Sequence, residues 1–310
     1  MKVAIVQDGP VYLDAMKTLE KTLDTLNDAH AQKVDLVVFG ENWFSGYPVW
    51  LDVCSDVNIW DKDVVKGVWA NTFSSGLQLK SPIFGQLQKA ISQMNLYVVM
   101  GANEPIATGK GNGTIYNTIF TFDTEGHIVN HHRKLMPTYT EKLVHGLGDG
   151  AGLNAVDTRF GRLGSLICWE HWMPLARQAM HDEGEDVHIA LWPYVKELHH
   201  VASRHYAHEG RCHVVAVGQV MHVSELPSSL DLSQSIELPS SKNLLQGGSA
   251  IYGPDGSVIL EPIYNERKLI TLELDISSAL KERMNLSVSG HYQRPDVFDL
   301  QVQKKRVDLD

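Results

Sequence analysis

Between Lys2 and Phe39 the chain alternates strand, helix and strand, and this alternation restricts the fold more than any other feature of the sequence. Lys2-Val3-Ala4-Ile5-Val6-Gln7 is an apolar run of strand length. Leu13, Met16, Leu19, Leu23 and Leu26 then recur at helical spacing with charged residues between them, and Leu36-Val37-Val38-Phe39 is a second buried strand. An amphipathic helix between two strands makes a crossover, so the strands lie parallel and their carboxyl ends share one edge of the sheet. Glu41 stands just past that edge.

The alternation continues downstream. Ser81-Pro82 predicts a helix cap with proline in the first turn, leading through Phe84, Leu87, Ala90, Ile91 and Met94 to a strand at 96–100. Segments 114–120 and 127–129 flank the turn Asp123-Thr124-Glu125-Gly126, so a hairpin joins the parallel strands and the sheet is mixed. A loop is expected over 134–154, then strand 163–167, a helix through Leu175 and Met180, strand 187–191, a helix through Val201 and Tyr206, and strand 214–217. An irregular surface loop follows over 224–241. Segments 248–251 and 258–260 form a second hairpin around Gly253-Pro254-Asp255-Gly256, and 269–274 is the last strand. With no repeat and no linker, the chain is expected to form one α/β domain over 1–285 with a polar tail over 286–310.

Bulk properties exclude some functions. Twenty-seven basic residues against 37 acidic ones give a net charge of −10, which disfavours a polyanion, so no nucleic acid partner is expected. No stretch approaches the roughly 20 apolar residues that span a bilayer, and the first residues already have a strand pattern instead of a signal peptide's apolar core. The three cysteines, Cys54, Cys168 and Cys212, are irregularly spaced without a CxxC, suggesting neither a disulfide framework nor structural zinc. These features predict a cytoplasmic protein without a membrane partner.

Glu41, Lys134 and Cys168 share one kind of position, where a predicted strand gives way to a loop, and functional residues of α/β folds collect there. Cys168 ends the run Leu163-Gly164-Ser165-Leu166-Ile167. A thiol is mostly protonated at neutral pH and needs a neighbouring base or cation to react. Glu41 is suited to take the proton and Lys134 to supply positive charge. Taken singly, each has a plainer reading: a buried structural cysteine, a loop carboxylate, a surface lysine.

Longer strings surround these residues. Phe39-Gly40-Glu41-Asn42-Trp43-Phe44-Ser45-Gly46-Tyr47-Pro48, His132-Arg133-Lys134-Leu135-Met136-Pro137-Thr138 with Glu141, and Cys168-Trp169-Glu170-His171-Trp172-Met173-Pro174 resemble the three catalytic blocks of the carbon-nitrogen hydrolase (nitrilase) superfamily in order and spacing. The resemblance runs from the first strand to about Asp275. It implies a four-layer αββα sandwich with mixed sheets. It also implies a triad in which Cys168 is the nucleophile, Glu41 the general base and Lys134 the stabiliser of tetrahedral intermediates, with Glu141 as a further carboxylate beside them. Chemically, a thiolate attacking a nitrile needs a dry pocket and a donor for the developing negative nitrogen, for which Lys134 and the Trp169 N–H are candidates.

Cys168-Trp169-Glu170 resembles the nitrilase branch, implying conversion of a small-molecule nitrile to its acid through a thioimidate, with no cofactor or metal. An amidase or carbamoylase on the same triad, and a non-catalytic binding member, remain as alternatives. Tyr47, Trp169, Trp192, Pro193 and Tyr194 are candidates to line the substrate pocket, and core packing explains such aromatics equally well. Glu170 reads as structural as readily as catalytic. Two departures stand out: Gly40 occupies a position where relatives usually carry proline, and His171 one where asparagine is common. A Cys168–His171 dyad is disfavoured, because residues three apart around a turn need not face each other. His199, His200, His205 and His208 imitate a metal cluster without converging on one point. The chain ends early beside filament-forming relatives, so a homodimer or small homo-oligomer is expected.

Overall fold

The computed structural model describes residues 1–54, 57–228, 230 and 243–306. Its elements in chain order are β1 (Lys2–Gln7), α1 (Ala15–Ala31), β2 (Leu36–Val38), α2 (Trp50–Val53), α3 (Asp63–Ser74), α4 (Pro82–Met94), β3 (Tyr97–Ile106), β4 (Thr114–Phe122), β5 (Ile128–Arg133), β6 (Val156–Thr158), β7 (Gly161–Ile167), α5 (Pro174–Asp182), β8 (Val187–Leu191), α6 (Glu197–Gly210), β9 (His213–Val217), β10 (Val220–His222), β11 (Asn243–Tyr252), β12 (Val258–Tyr264), β13 (Lys268–Glu273) and α7 (Ser278–Glu282).

Two mixed sheets form. One has the order β13-β1-β2-β3-β4-β5; the other runs β10-β11-β9-β8-β7-β6, with β12 paired to β11. β1, β2 and β3 are parallel, as the crossover demands, and the β4–β5 hairpin follows antiparallel. Side-chain alternation assembles the layers. On β1, Val3 and Ile5 pack in the core between the sheets with Leu166, Ile189 and Val215, whereas Ala4 and Val6 face outward with Leu19 and Leu26 of α1 and Leu87 and Ile91 of α4. Ala179 and Met180 of α5 and Ala202 and Tyr206 of α6 cover the second sheet. The architecture is therefore the expected αββα sandwich.

The helix boundaries obey local chemistry. Asp14 caps α1 by accepting from the Lys17 N–H, and Ser81 caps α4 ahead of Pro82. Two expectations on α1 need correction: Leu13 precedes the cap with a φ of 56°, and Met16 is half exposed, so Thr18 and Thr22 join Leu19 and Leu26 on the buried stripe instead. The Thr22 hydroxyl earns its buried place by accepting from the Trp43 indole N–H at 2.8 Å. Segment 134–154 is not a plain loop, because it contains 3₁₀ turns at Tyr139–Leu143 and Gly150–Gly152. Most of the loop expected over 224–241 lies outside the described residues. The final segment packs on the body: Leu300 and Val302 lie against the core, and Arg306 pairs with Asp149 at 3.1 Å. Among the described residues, no helix is long and apolar enough to cross a membrane.

Candidate active site

Each chemistry-bearing residue leaves the carboxyl end of a strand: Glu41 follows β2, Lys134 follows β5 and Cys168 follows β7. Because β2 and β5 belong to one sheet and β7 to the other, the two halves of the sandwich meet around these side chains. All are buried, with Glu41, Lys134 and Glu141 each 1% exposed and Cys168 4%.

The backbone explains how Glu41 arrives there. Gly101 on β3 lets the 40–42 segment lie directly on the sheet, since a Cβ there would come within 2.7 Å of the Glu41 Cα. Gly40, the departure noted in the sequence, leaves room for the Gln219 side chain, which a Cβ would meet at 2.4 Å. The Gln219 amide donates to the Glu41 carbonyl. A residue lost from the expected pattern thus makes space for a hydrogen bond that holds the Glu41 backbone in place.

Glu41 Oε1 accepts from Asn117 Nδ2 at 2.8 Å and from Lys134 Nζ at 3.3 Å, while Oε2 has no hydrogen-bond partner among the described residues. Glu141 Oε2 accepts from Lys134 Nζ at 2.7 Å and from the Thr138 N–H at 2.9 Å, and its Oε1 accepts from the Tyr47 hydroxyl at 2.9 Å. One oxygen of Glu41, one of Glu141 and the Cys168 sulfur lie within 4.8 Å of one another. The Lys134 ammonium supplies the positive charge these carboxylates require.

Burial and this charge pattern set the proton affinities. Desolvation pushes the Glu41 carboxyl up to about 7, helped by the Glu141 charge and opposed by Lys134. For Glu141 burial acts the same way, but Lys134 and further hydrogen bonds overcome it and hold the carboxyl below its ordinary range. Burial disfavours the Lys134 charge, yet Glu41, Cys168 and Glu141 together keep the ammonium firmly protonated. Burial raises the Cys168 thiol well above its ordinary value despite Lys134. Cys168 therefore rests as a protonated thiol beside the Glu41 carboxyl.

Cys168 sits in the left-handed region with a φ of 52°, a conformation that costs a non-glycine residue about 1–3 kcal/mol and must be imposed by its surroundings. Glu170 imposes part of it. Its carboxylate accepts from the Ile167 N–H and the Leu135 N–H, both at 2.7 Å, and pairs with His132 at 2.9 Å, tying the end of β7 to the end of β5. The structural alternative for Glu170 is the one realised. His171 turns away from the thiol, with Nδ1 2.7 Å from the Cys168 carbonyl oxygen, so it forms no dyad with the sulfur.

A cavity of about 240 Å³ opens onto Cys168 and Glu141. Tyr47, Trp169, Pro193 and Tyr194 are on its lining, and Trp169 is half exposed at its wall. Trp192 does not line it. Its indole is fully buried one layer behind, donating to Ser203 and stacking at 4.2 Å on His199, which does reach the cavity. Packing decides its side: the ring is held between His171 and His199, stacked on both, and so enters the core. Sequence reasoning missed Val49, Asp52, Val53, Lys196, Leu244 and Leu245 on the cavity wall. It also missed Asn117, for which a signal existed, since Asn117 interrupts the apolar series Ile115, Ile119 on one face of β4. The α6 histidines diverge: His200 reaches the Tyr252 and Tyr264 hydroxyls, and His208 the Asp255 carbonyl.

The carbon-nitrogen hydrolase family profile matches residues 2–281. The sequence is 33% identical to a nitrilase of Pseudomonas syringae pv. syringae (strain B728a), over 97% of this chain and 89% of that one. It is 32% identical to an aliphatic nitrilase of Sinorhizobium fredii (strain HH103), over 98% and 96%. The solved carbon-nitrogen hydrolase of Helicobacter pylori G27 shares the fold, with a TM-score of 0.70 over 96% of each chain at 17% identity. With the sandwich in place and a cysteine, a lysine and two carboxylates gathered at its strand ends, this nearly full-length match makes the chain a member of the carbon-nitrogen hydrolase family.

Proposed function

We propose that this protein is a nitrilase, hydrolysing a small nitrile to its carboxylic acid and ammonia. The observation that carries the reading is a Glu41 carboxyl oxygen within 4.8 Å of the buried Cys168 sulfur, with Lys134 fixed between two carboxylates. Glu41 takes the thiol proton as the sulfur bonds to the nitrile carbon, and the nitrile nitrogen receives a proton to give a thioimidate. Lys134 and the Trp169 N–H face the charge that develops. A water then adds, its proton passing to Glu41, and the carbon–nitrogen bond breaks as ammonia leaves protonated, so a thioester remains. A second water releases the acid and restores the thiol. Glu141 fixes Lys134 and orients the attacking water.

The apolar wall of Val49, Val53, Leu244 and Leu245 supports a hydrocarbon body for the substrate. An empty apolar cavity of about 150 Å³ takes up benzene, so one of about 240 Å³ suits a nitrile of comparable or somewhat larger size. The names of the relatives support the nitrile over the amide.

We also propose that residues 1–285 form the catalytic domain, that 286–310 is an appended tail and that the protein works in the cytoplasm. Exposed Trp172, Met173, Leu175, Leu198 and Val201 on neighbouring elements support assembly into a homodimer or small homo-oligomer.

The test is a panel of nitriles and their matched amides, with ammonia and amide both quantified. Release of ammonia and acid from nitriles is expected, lost in Cys168→Ala. Turnover of amides alone, or activity surviving that substitution, would sink the proposal.

A further inference from the structure

Behind the nucleophile, away from the cavity, a row of polar side chains runs through the apolar core between β7, β8, α5 and α6. His171 Nδ1 lies 2.7 Å from the Cys168 carbonyl oxygen, and His171 Nε2 lies 3.0 Å from His188 Nε2. His188 Nδ1 lies 2.7 Å from Glu185 Oε1, and the Tyr206 hydroxyl donates to Glu185 Oε2 at 2.5 Å. Each of the four side chains belongs to a residue no more than 2% exposed. Gly164 on β7 makes the room, because a Cβ there would stand 1.6 Å from Glu185 Oε1.

Counting hydrogens along the row fixes its protonation. A carbonyl oxygen only accepts, so His171 Nδ1 carries a hydrogen; in a neutral ring its Nε2 is then bare and accepts from His188. His188 therefore carries its hydrogen on Nε2 and leaves Nδ1 bare. The contact with Glu185 Oε1 then needs a hydrogen from the carboxyl itself. The only other bookkeeping with the same contacts makes one imidazole cationic beside an ionised Glu185, which places two charges in a dry core.

We propose that Glu185 is held as a protonated carboxylic acid and, by donating through His188 and His171, positions the strained elbow that carries Cys168. Desolvation acts in the same direction at every member: it pushes Glu185 up to about 8, His171 down to about 3 and His188 well below its ordinary value. Around Glu185, the Tyr206 hydrogen bond, His181 and Arg162 favour ionisation while Glu183 opposes it, and burial outweighs them. The row ends at His171, where the sequence departs from the asparagine common at that position. The same ring stacks on Trp192, whose other neighbour His199 lines the cavity, so one positioned imidazole serves both the elbow and the pocket wall. Glu185, His188 and His171 are positioning residues, and the inference rests on Cys168 being the nucleophile.

The test compares the full-length wild type with Glu185→Gln and Glu185→Leu. A glutamine side chain retains a donor for His188 and an acceptor for Tyr206; leucine fills the space with neither. Three readouts are taken: the rate at which iodoacetamide alkylates Cys168 against Cys54 and Cys212, the split between kcat and KM on a nitrile, and the infrared difference spectrum of wild type minus Glu185→Gln at pH 6.5. Glu185→Gln is expected to keep the alkylation rate and kcat within about threefold, and Glu185→Leu to lower both by about 10–100-fold at nearly constant KM, the effect of a nucleophile displaced by a fraction of an ångström. The difference spectrum is expected to show the carbonyl band of a protonated carboxylic acid. Absence of that band, a glutamine variant as impaired as the leucine variant, or a leucine variant alkylated at the wild-type rate would overturn the proposal. Should Glu185→Leu fail to fold, the spectrum and the glutamine variant still decide. Alkylation needs no nitrile, so failure of the nitrilase reading alone would leave a different pattern.

Discussion

Arg133 and Lys134 are consecutive where β5 ends, and each meets a buried carboxylate, yet the two pairs are built to opposite ends. Glu104, fully buried, accepts from Arg133 Nε at 2.9 Å and Nη2 at 2.6 Å, from the Thr118 hydroxyl at 2.9 Å and meets His131 at 2.9 Å. Glu41 is buried as deeply, but it shares one lysine with Glu141 and keeps an oxygen without a partner among the described residues. Burial works against both charges. In Glu104 the donors overcome it and bring the carboxyl down to about 2, whereas in Glu41 they do not and it rises to about 7. A buried carboxylate saturated with donors is inert structure; one left short of them is a base.

Exchanging carboxylate for amide at each position breaks the comparison most sharply. Glu41→Gln is expected to lower kcat/KM by about 10²–10⁴-fold, the usual contribution of a positioned general base, while leaving the fold intact. Glu104→Gln leaves Arg133 buried without its counter-charge and is expected to cost about 3–5 kcal/mol in denaturant unfolding, with a far smaller effect on turnover.

Their pH dependences carry opposite signs. Glu104 in the folded state lies below the ordinary carboxylate value of 4.5, so its stabilisation is complete above that pH and is lost as pH falls toward about 2. Glu41 lies above 4.5, so the folded state binds its proton more tightly and stability declines as pH rises from 4.5 through about 7. The melting temperature of Glu41→Gln is therefore expected to gain on that of wild type as pH rises from 4.5 to about 7, with the difference levelling off above pH 7. A difference that does not change with pH would show that Glu41 is not strained by its burial.

The smallest effect sharpens the role of the second carboxylate. Tyr47→Phe removes the hydroxyl that donates to Glu141 Oε1 at 2.9 Å. A net loss of about 1 kcal/mol, roughly fivefold in kcat/KM, is expected from that single hydrogen bond. An effect as large as that of Glu41→Gln would move Tyr47 from the pocket wall into the proton chemistry.

What could be read in the chain before its structure follows from the range of the forces involved. The βαβ crossover and the hairpins rest on local periodicity and turn chemistry, and both appear as expected. Glu41, Lys134 and Cys168 were legible because the strand-to-loop boundary is itself a sequence pattern. Gln219 was not, because its hold on the Glu41 carbonyl spans 178 residues and depends on a missing Cβ at Gly40. Trp192 was misplaced for a related reason: an aromatic beyond a strand end has two sides to choose from, and only the packing of His171 and His199 on its two faces shows which it took. The short elements β6, β10 and α2 have too few residues for periodicity to register.

The central claim is that Glu41 removes the proton from Cys168, and its most direct test is the rate of Cys168 alkylation by iodoacetamide from pH 5 to 9 in wild type and Glu41→Gln. The wild-type rate is expected to rise with a midpoint near 7, where Glu41 becomes a carboxylate, and the variant to lose that midpoint and react slowly until far more alkaline pH. An unchanged midpoint and rate in Glu41→Gln would contradict it.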